Sequence, residues 1–175
     1  MIRHANEDDL QVLCNLNGEV HAIHIDKVPH VFKETVLEDL ENWFREVLND
    51  NNQLILLAEE SQYVIGYLVL RRQTRLPNAF SHDRSCGYID QVCVTRECRG
   101  RGVFSQLLDE AQMVAREWEL TKLELDVWSN NVDAKNAFQH SGFTTFNEKM
   151  ELVLDGESPN QKMHRIAKAT GDLNR

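Results

Sequence analysis

The segment QVCVTRECRGRGVFSQLLDEA, residues 91–111, constrains the fold of this chain more than any other stretch. It begins with a short apolar run typical of a strand and ends with apolar residues at helical spacing. Between them lies a basic turn made of Arg96, Arg99, Gly100, Arg101 and Gly102. A helix that starts directly after a strand presents unpaired N–H groups and a positive dipole end, which suit a phosphate. The segment therefore predicts an anion site in a mixed α and β domain.

The turn differs from the two commonest phosphate-binding motifs. The chain lacks GxxxxGK[ST], and GxGxxG would need a further glycine near Gln106. An ordinary strand-to-helix turn with solvated arginines explains the glycines equally well when the turn is taken alone. However, the net charge is −9, from 28 acidic and 19 basic residues, so three clustered cations reverse the local sign. Such a reversal favours an anionic ligand.

Size and composition limit the remaining classes of protein. A chain of 175 residues can bury one core, so one domain is expected. The acidic balance argues against a nucleic-acid partner. The sequence shows no long apolar run and no secretion signal at its start, which predicts no membrane partner and a cytoplasmic location. The four cysteines form no CxxC pair and are expected to be reduced thiols: Cys14, Cys86, Cys93 and Cys98.

Apolar periodicity predicts the elements before the turn. Asn6 can cap a first helix that breaks near Pro29, and a clear helical stripe covers residues 35–48. The runs QLILLAEE and YVIGYLVLRR predict an antiparallel hairpin with a bulge at Gly66. Residues 73–85 have no period and are expected to form an exposed loop.

After the turn and its helix, the pattern predicts a strand, a helix and a strand pair. KLELDVW alternates strictly, which predicts a strand buried on the side of Leu123, Leu125 and Val127. A short helix near residues 132–141 and a final strand pair around 143–154 follow. The predicted fold is therefore an α+β domain around one sheet, covering residues 1–154. Residues 155–175 are expected to form a polar tail with at most one marginal helix.

Two segments resemble signatures of one family. Residues 91–108 resemble the acyl-coenzyme A motif Q/R-x-x-G-x-G/A of the GNAT (Gcn5-related) N-acetyltransferases, with Arg99, Gly102 and Phe104 at its specified positions. Phenylalanine at the third position is a departure. NVDAKNAFQHSGF is similar to the family's other signature at Asn131, Ala134, Phe138, Gly142 and Phe143. The two motifs stand in the family's order, and the resemblance covers roughly residues 1–154.

The resemblance implies a fold and a cosubstrate. The expected fold is a single domain with a central, mostly antiparallel sheet that contains a splayed parallel strand pair and is flanked by helices. In the family, the pantetheine arm of acetyl-coenzyme A enters the splay and bonds main-chain groups, here at Val92, Cys93 and Val94. The diphosphate is expected on the turn and helix start, at Arg99, Gly100, Arg101, Gly102, Val103 and Phe104. Asn131 and Phe138 are expected near the pantetheine arm, and Asn131 is also a candidate helix cap.

The resemblance also suggests catalytic residues. Tyr88 and Asp90 stand where relatives carry groups that deprotonate the acceptor amine, and on a regular strand they share a face with Val92. Asp90 is the better base, although it can equally anchor the substrate, and Tyr88 can hydrogen-bond the acceptor. Many relatives have a tyrosine at the position of Phe138 that reprotonates the leaving thiolate. In this chain either Tyr88 or a water molecule must donate that proton, or the thiolate must leave unprotonated.

A histidine-rich segment precedes the second helix. His21, His24, His30 and Phe32 lie in the stretch that lines the acceptor pocket in relatives. His21 and His24 have metal-ligand spacing, but no third ligand follows, so no metal is expected. Cys93 has no evident base beside it, so it is expected to be buried packing rather than a nucleophile.

The resemblance therefore implies an N-acetyltransferase that moves an acetyl group directly from acetyl-coenzyme A to a primary amine of a small molecule or a protein, without a metal. A homodimer is the expected assembly. Two alternatives remain at this point. One is a noncatalytic acyl-coenzyme A sensor or partner-binding module with the same fold. The other is a nucleotide-binding domain that uses the turn for a different phosphate.

Overall fold

A computed structural model describes residues 1–152 and 154 of the chain. The chain divides into two compact units, Met1–Ser141 and Gly142–Arg175. The strands are β1 (Ile2–His4), β2 (Gln53–Glu60), β3 (Tyr63–Arg75), β4 (Arg84–Val94) and β5 (Leu123–Glu124). The helices are α1 (Leu10–Lys27), α2 (Leu37–Asn49), α3 (Val103–Glu117) and α4 (Val132–His140), with 3-10 turns at Glu7–Asp9 and Arg96–Cys98.

One five-stranded sheet organises the first unit. Its order is β1-β2-β3-β4-β5, with antiparallel pairs up to β4 and a parallel pair between β4 and β5. Side chains of α1 and α2 form a core with alternate residues of β2, β3 and β4, including Leu13, Phe44, Ile55, Tyr67 and Cys93. Helix α3 packs on the opposite face, where a Cβ at Gly87 would lie 2.7 Å from the Leu123 side chain, so the missing side chain of Gly87 makes room for Leu123. This architecture confirms the predicted α+β fold class.

The β2–β3 hairpin follows the predicted turn and bulge. Ser61 and Gln62 both have positive φ, 51° and 71°, as a two-residue hairpin turn requires. The register shifts beside Gly66, which confirms the predicted bulge. A Cβ at Gly66 would lie 2.7 Å from the carbonyl oxygen of Cys93, so only glycine fits where β4 passes this close.

Three predictions for local structure need correction. Residues 73–85 are not all loop, because β3 continues to Arg75 and β4 begins at Arg84, so only 76–83 lie outside the strands. The KLELDVW strand is limited to Leu123–Glu124, and its expected core residues are only half-buried. Its pairing with β4 ends after two residues, which explains the short length.

The predicted strand pair at 143–154 is also wrong for the residues that can be described. Residues 142–152 and 154 contain no strand, and their apolar side chains are exposed at Phe146, Met150, Leu152 and Leu154. Alternation of apolar residues predicts a strand only where a partner strand satisfies the main chain. The predicted tail, 155–175, lies outside the described residues, and the predicted domain boundary after residue 154 stays a prediction. Within the described part of the chain, no helix is long and apolar enough to span a membrane.

Candidate functional site

An opening separates the two parallel strands. Among the described residues, β4 pairs with β5 only at Gly87 with Leu123 and Tyr88 with Glu124, although β4 continues to Val94. Beyond Tyr88, the edge of β4 that faces away from β3 therefore has no partner strand in the described chain. This opening is the splay that the family resemblance implied.

A β-bulge lies where the two strands part. In the β3–β4 register, Leu70 pairs with Ile89 and Val69 pairs with Gln91, so Asp90 is an extra residue on β4. A bulge of this kind bends its strand and reverses the sides to which later residues point. The bulge therefore explains why β4 leaves β5 at this position.

The hydrogen bonds on both sides of the bulge show the reversal. The Gly87 N–H donates to a carbonyl on the β5 side, 3.0 Å away, whereas the Thr95 N–H donates to a β3 carbonyl at 2.9 Å. Residues an even number apart on a regular strand point their N–H groups to the same side, so the extra residue has changed the alternation. It follows that the N–H groups of Val92 and Val94 face the opening.

The bulge corrects two expectations from the sequence. Tyr88 pairs with Arg71 on the α1/α2 face, whereas Val92 pairs with Leu68 on the α3 face, so the prediction that Tyr88 and Val92 share a face is wrong. Cys93 pairs with Tyr67, and alternation points its main-chain N–H toward β3 rather than the opening. The groups that can bond a ligand along this edge thus belong to Val92 and Val94.

A buried hydrogen-bond network holds the residue after the bulge. The Asn17 amide donates to Gln91 Oε1 at 2.9 Å and to the Tyr67 hydroxyl at 3.0 Å, and that hydroxyl donates to Gln91 Oε1 at 2.8 Å. Asn17 is 5% exposed and Tyr67 is 0% exposed. Burial raises the pKa of the Tyr67 phenol, so it remains a donor. The network links α1, β3 and β4 at the point where the bulge sets the course of β4.

The glycine turn follows the free edge of β4. Gly100 and Gly102 have φ of 74° and 81°, values that a residue with a side chain adopts at a cost, and Gly102 is the N-cap of α3. A Cβ at either glycine would meet nothing within 4 Å. None of the described side chains makes a cap hydrogen bond to α3, and its first turn contains no acidic residue. The start of α3 therefore presents uncapped N–H groups and open space, which suit an anion.

The arginines of the turn have different partners. Arg99 Nε donates to the Val94 carbonyl at 3.0 Å, so its guanidinium lies beside the opening. Arg101 instead makes two hydrogen bonds to the carboxylate of Glu60 on β2, at 2.7 and 2.8 Å, and this contact raises its pKa. Of the two cations that the sequence assigned to the anion, Arg99 lies at the opening and Arg101 ties the turn to β2.

Ionisable side chains surround the bulge on the α1/α2 face. The Tyr88 hydroxyl donates to Asp126 Oδ2 at 2.9 Å, and the Arg71 guanidinium lies 5.1 Å from the Tyr88 ring centre. Arg71 also approaches Asp90, with 3.4 Å between Nη2 and Oδ1. Burial first, and the hydrogen bond to Asp126 second, raise the pKa of Tyr88 to about 12. Tyr88 is therefore protonated at neutral pH and acts as a hydrogen-bond donor.

Helix α4 lies close to the glycine turn. The rings of Phe138 and Phe104 pack edge to face with their centres 5.5 Å apart, which brings these two predicted residues together. Asn131 precedes α4, but among the described residues its side chain makes no cap hydrogen bond. Asn131 nevertheless occupies the N-cap position that the helix-cap alternative gave it, and its main-chain carbonyl accepts from the Lys135 N–H at 3.0 Å.

The histidine segment forms an aromatic cluster rather than a metal site. Phe32 lies 4.9 Å from His24, 5.8 Å from His21 and 5.4 Å from Trp128, measured between ring centres. His21 Nε2 lies 2.6 Å from the Lys33 carbonyl oxygen, to which it donates. Among the described residues, no three His, Cys, Asp or Glu side chains are grouped to hold a metal.

Cys93 has the environment that the sequence predicted. It is 2% exposed, and its thiol donates to the Leu16 carbonyl at 3.4 Å. Burial raises its pKa to about 12, so it is a thiol and not a nucleophilic thiolate. All four cysteines are free and buried.

Sequence reasoning missed several residues around the bulge. Asp126 belongs to the KLELDVW alternation and lies on its other side, which also carries Trp128, opposite the apolar side from which the strand was predicted. This side of the alternation was a usable signal for Asp126. Glu124 lies on the same side and pairs with Tyr88, so Asp126, two residues later, comes close to the Tyr88 side chain. No sequence pattern signals the network of Asn17, Tyr67 and Gln91, whose members are distant along the chain.

The fold and this opening define an acyltransferase-like class of domain, and comparisons with known proteins identify it. The sequence model of the Acetyltransferase (GNAT) family matches residues 18–143. The chain therefore belongs to the GNAT acetyltransferase family.

Individual proteins are similar to this chain in sequence or in fold. The chain is 32% identical over 92 residues to GCN5-related N-acetyltransferase 7, chloroplastic, of Arabidopsis thaliana, covering 48% of this chain and 34% of that protein. The match thus spans about a third of that relative's length. The fold is similar to a tetramutant of the BH1408 protein from Bacillus halodurans, with TM-score 0.83, 22% identity and coverage of 88% and 99% of the two chains. It is also similar to aminoglycoside N-acetyltransferase AAC(6′)-Iy in complex with coenzyme A, with TM-score 0.66, 17% identity and coverage of 87% and 98%.

Proposed function

We propose that the chain transfers an acetyl group from acetyl-coenzyme A directly to a primary amine. The observation that carries this proposal is the free edge of β4, where the N–H groups of Val92 and Val94 face an opening that leads to the glycine turn. An extended amide-containing chain can add to such an edge as a strand would. The solved relative with coenzyme A supports the same cosubstrate.

The residues present fit this cosubstrate at both ends. Val92 and Val94 would offer main-chain groups to the pantetheine arm, and the Phe138 ring packs on Phe104 at the start of α3. Gly100, Gly102 and the uncapped start of α3 offer N–H groups and space to the diphosphate, and Arg99 adds a cation. Acetyl-coenzyme A supplies the acetyl group as a thioester, whose C–S bond is replaced by the new C–N bond.

The ionisable residues of the bulge provide the proton chemistry. An ammonium group must lose a proton before its nitrogen can attack, and Asp90, the extra residue of the bulge where the opening begins, is the proposed base. Arg71 holds that carboxylate at 3.4 Å. Tyr88 keeps its proton at neutral pH, so it orients the acceptor or returns a proton to the leaving sulfur, a role that Phe138 cannot perform.

The test combines binding and turnover. Calorimetry should show binding of coenzyme A that Gly102→Glu abolishes, because a carboxylate at the turn repels the diphosphate. Thiol release from acetyl-coenzyme A should require an added amine, and Asp90→Asn should lower kcat about 100-fold without changing coenzyme A affinity. Asp83→Asn, an equal charge change in the exposed 76–83 loop, is the matched control. Failure to bind coenzyme A, or tighter binding of ATP, would overturn the proposal.

One observation favours a second candidate, a noncatalytic acyl-coenzyme A sensor. Phe138 fills its place against Phe104 without the hydroxyl that many catalytic relatives carry there. A sensor would bind coenzyme A with the same dependence on Gly102 but release no thiol with any amine. The turnover assay therefore separates the two functions.

A further inference from the structure

We infer that the acceptor is a primary monoamine with a flat apolar body, an arylalkylamine, and this inference rests on the function proposed above. It follows from an aromatic wall beside the carboxylates of the opening. The aromatic wall consists of Phe32, Trp128 and His24, whose rings contact one another through Phe32.

Ring contacts and hydrogen bonds hold the aromatic wall together. The Phe32 and Trp128 rings meet edge to face at an angle of 76°. The Asn130 side chain donates to the Lys27 carbonyl at 2.9 Å, and Lys27 Nζ donates to the Asn130 carbonyl at 3.4 Å. These two hydrogen bonds tie the end of α1 to the segment that carries Trp128. Binding a flat ring therefore requires little ordering of the protein, which favours affinity.

The aromatic wall adjoins the carboxylates. Trp128 follows Asp126 by two residues, so their Cα atoms are at most about 7 Å apart. Asp126 accepts the Tyr88 hydroxyl hydrogen bond. Trp128 is 40% exposed, so part of its ring is available to a ligand. An ammonium group at the carboxylates would thus place a short carbon chain and a ring against Trp128 and Phe32.

The charges near Tyr88 match one cation rather than several. Asp90, Asp126 and Glu124 supply three carboxylates, and the cations Arg71 and Lys122 lie 3.4 Å from Asp90 and 3.7 Å from Glu124. The remaining carboxylate, on Asp126, can balance one ammonium. Burial, with a smaller effect of His21, lowers the pKa of His24, so its ring adds no repelling charge at neutral pH. A polycation would bring charges that this site does not balance.

The test compares acceptors of different body and charge. Thiol release from acetyl-coenzyme A is measured with 2-phenylethylamine, with n-propylamine and with neamine, a polycationic aminoglycoside. We expect kcat/KM at least about tenfold higher for 2-phenylethylamine than for n-propylamine, because only its ring reaches the aromatic wall. Trp128→Leu should lower kcat/KM for 2-phenylethylamine at least about tenfold more than for n-propylamine and leave coenzyme A affinity unchanged, whereas Trp128→Phe should keep most of the preference. Trp118→Leu is the matched control, because Trp118 lies at the C-terminal end of α3 with its ring beside Arg72.

The outcomes separate this inference from the proposed function. Fastest turnover of neamine, or an equal loss for all amines in Trp128→Leu, would overturn the inference while the acetyltransferase assignment stands. If no amine releases thiol, the proposed function fails, and calorimetry of 2-phenylethylamine with the coenzyme A-loaded protein decides the inference. Binding that Trp128→Leu weakens about tenfold would support it. Absence of binding, or binding that Trp128→Leu leaves unchanged, would contradict it.

Discussion

The Tyr88 hydroxyl donates to Asp126 across the single short stretch where β4 and β5 pair, at 2.9 Å. The two residues lie 38 positions apart in the chain and meet because Tyr88 pairs with Glu124, two residues before Asp126. The contact joins both sides of the opening at the point where the strands separate. After burial, it is the next largest cause that raises the pKa of Tyr88 and keeps the phenol protonated.

Removing the carboxylate should lower the pKa of Tyr88. In Asp126→Asn the phenolate is no longer opposed by a neighbouring negative charge, and the hydrogen bond that favours the neutral phenol weakens. Phenolate absorbance is followed against pH in the wild type and in Tyr88→Phe, and the difference isolates the titration of Tyr88. Its midpoint should lie near pH 12. The same difference in an Asp126→Asn background should give a lower midpoint. An unchanged midpoint would show that burial alone raises the pKa.

The same contact predicts how stability depends on pH. The pKa of Tyr88 is about 12 in the folded protein against an ordinary value of 10.0. The folded state therefore holds this proton more tightly, and the contribution to stability is complete below pH 10 and declines as the pH rises toward 12. Urea unfolding of Tyr88→Phe should show a shallower decline than the wild type over that interval.

The left-handed turn predicts opposite effects for two glycine substitutions. Gly102→Ala places a Cβ at φ 81° and should destabilise the protein by about 1 kcal/mol, as well as weaken coenzyme A binding. Gly18→Ala is the matched control, because Gly18 lies inside α1 with nothing within 4 Å of an added Cβ. It should stabilise the protein by about 0.5–1 kcal/mol. Urea unfolding measures both, and equal signs would contradict the prediction.

The different partners of the two arginines predict different effects on coenzyme A binding. Arg99 lies beside the opening, so Arg99→Ala should weaken binding about tenfold through loss of a charge-assisted contact to the diphosphate. Arg101 is held by Glu60, so Arg101→Ala should weaken binding less than about threefold. Calorimetry at one fixed salt concentration checks the ratio. A larger effect at Arg101 would show that it leaves Glu60 to bind the ligand.

The buried network predicts a stability cost for one hydroxyl group. Tyr67→Phe removes the hydroxyl that bonds Asn17 and Gln91 and should destabilise the protein by about 1 kcal/mol. The hydrogen bond from Asn17 to Gln91 remains and limits the loss. Tyr63→Phe is the matched control, because Tyr63 is 76% exposed and its loss should change stability little. Equal urea midpoints for the two variants would contradict the importance of the network.

Much of the fold could be predicted because its signals are local. The hairpin turn at Ser61 and Gln62, the bulge beside Gly66 and the start of α3 after Gly102 all follow from a few adjacent residues. The glycine positions succeed because positive φ is a property of a single residue. The end of β3 at Arg75 and the start of β4 at Arg84 were not predicted, because pairing between the two strands, rather than local composition, extends them.

The sequence by itself determined the family, the order of elements from β1 to α4 and the position of the glycine turn, since periodicity and backbone freedom depend on neighbours in the chain. Only the tertiary structure decided which groups face the opening. The extra residue Asp90 reverses the alternation of β4, turning Val92 and Val94 toward the opening and separating Tyr88 from Val92. Tertiary contacts also assign Arg101 to Glu60 and Asp126 to Tyr88. A side chain's partner depends on which distant segments the fold brings within hydrogen-bond range, and no local pattern records that distance.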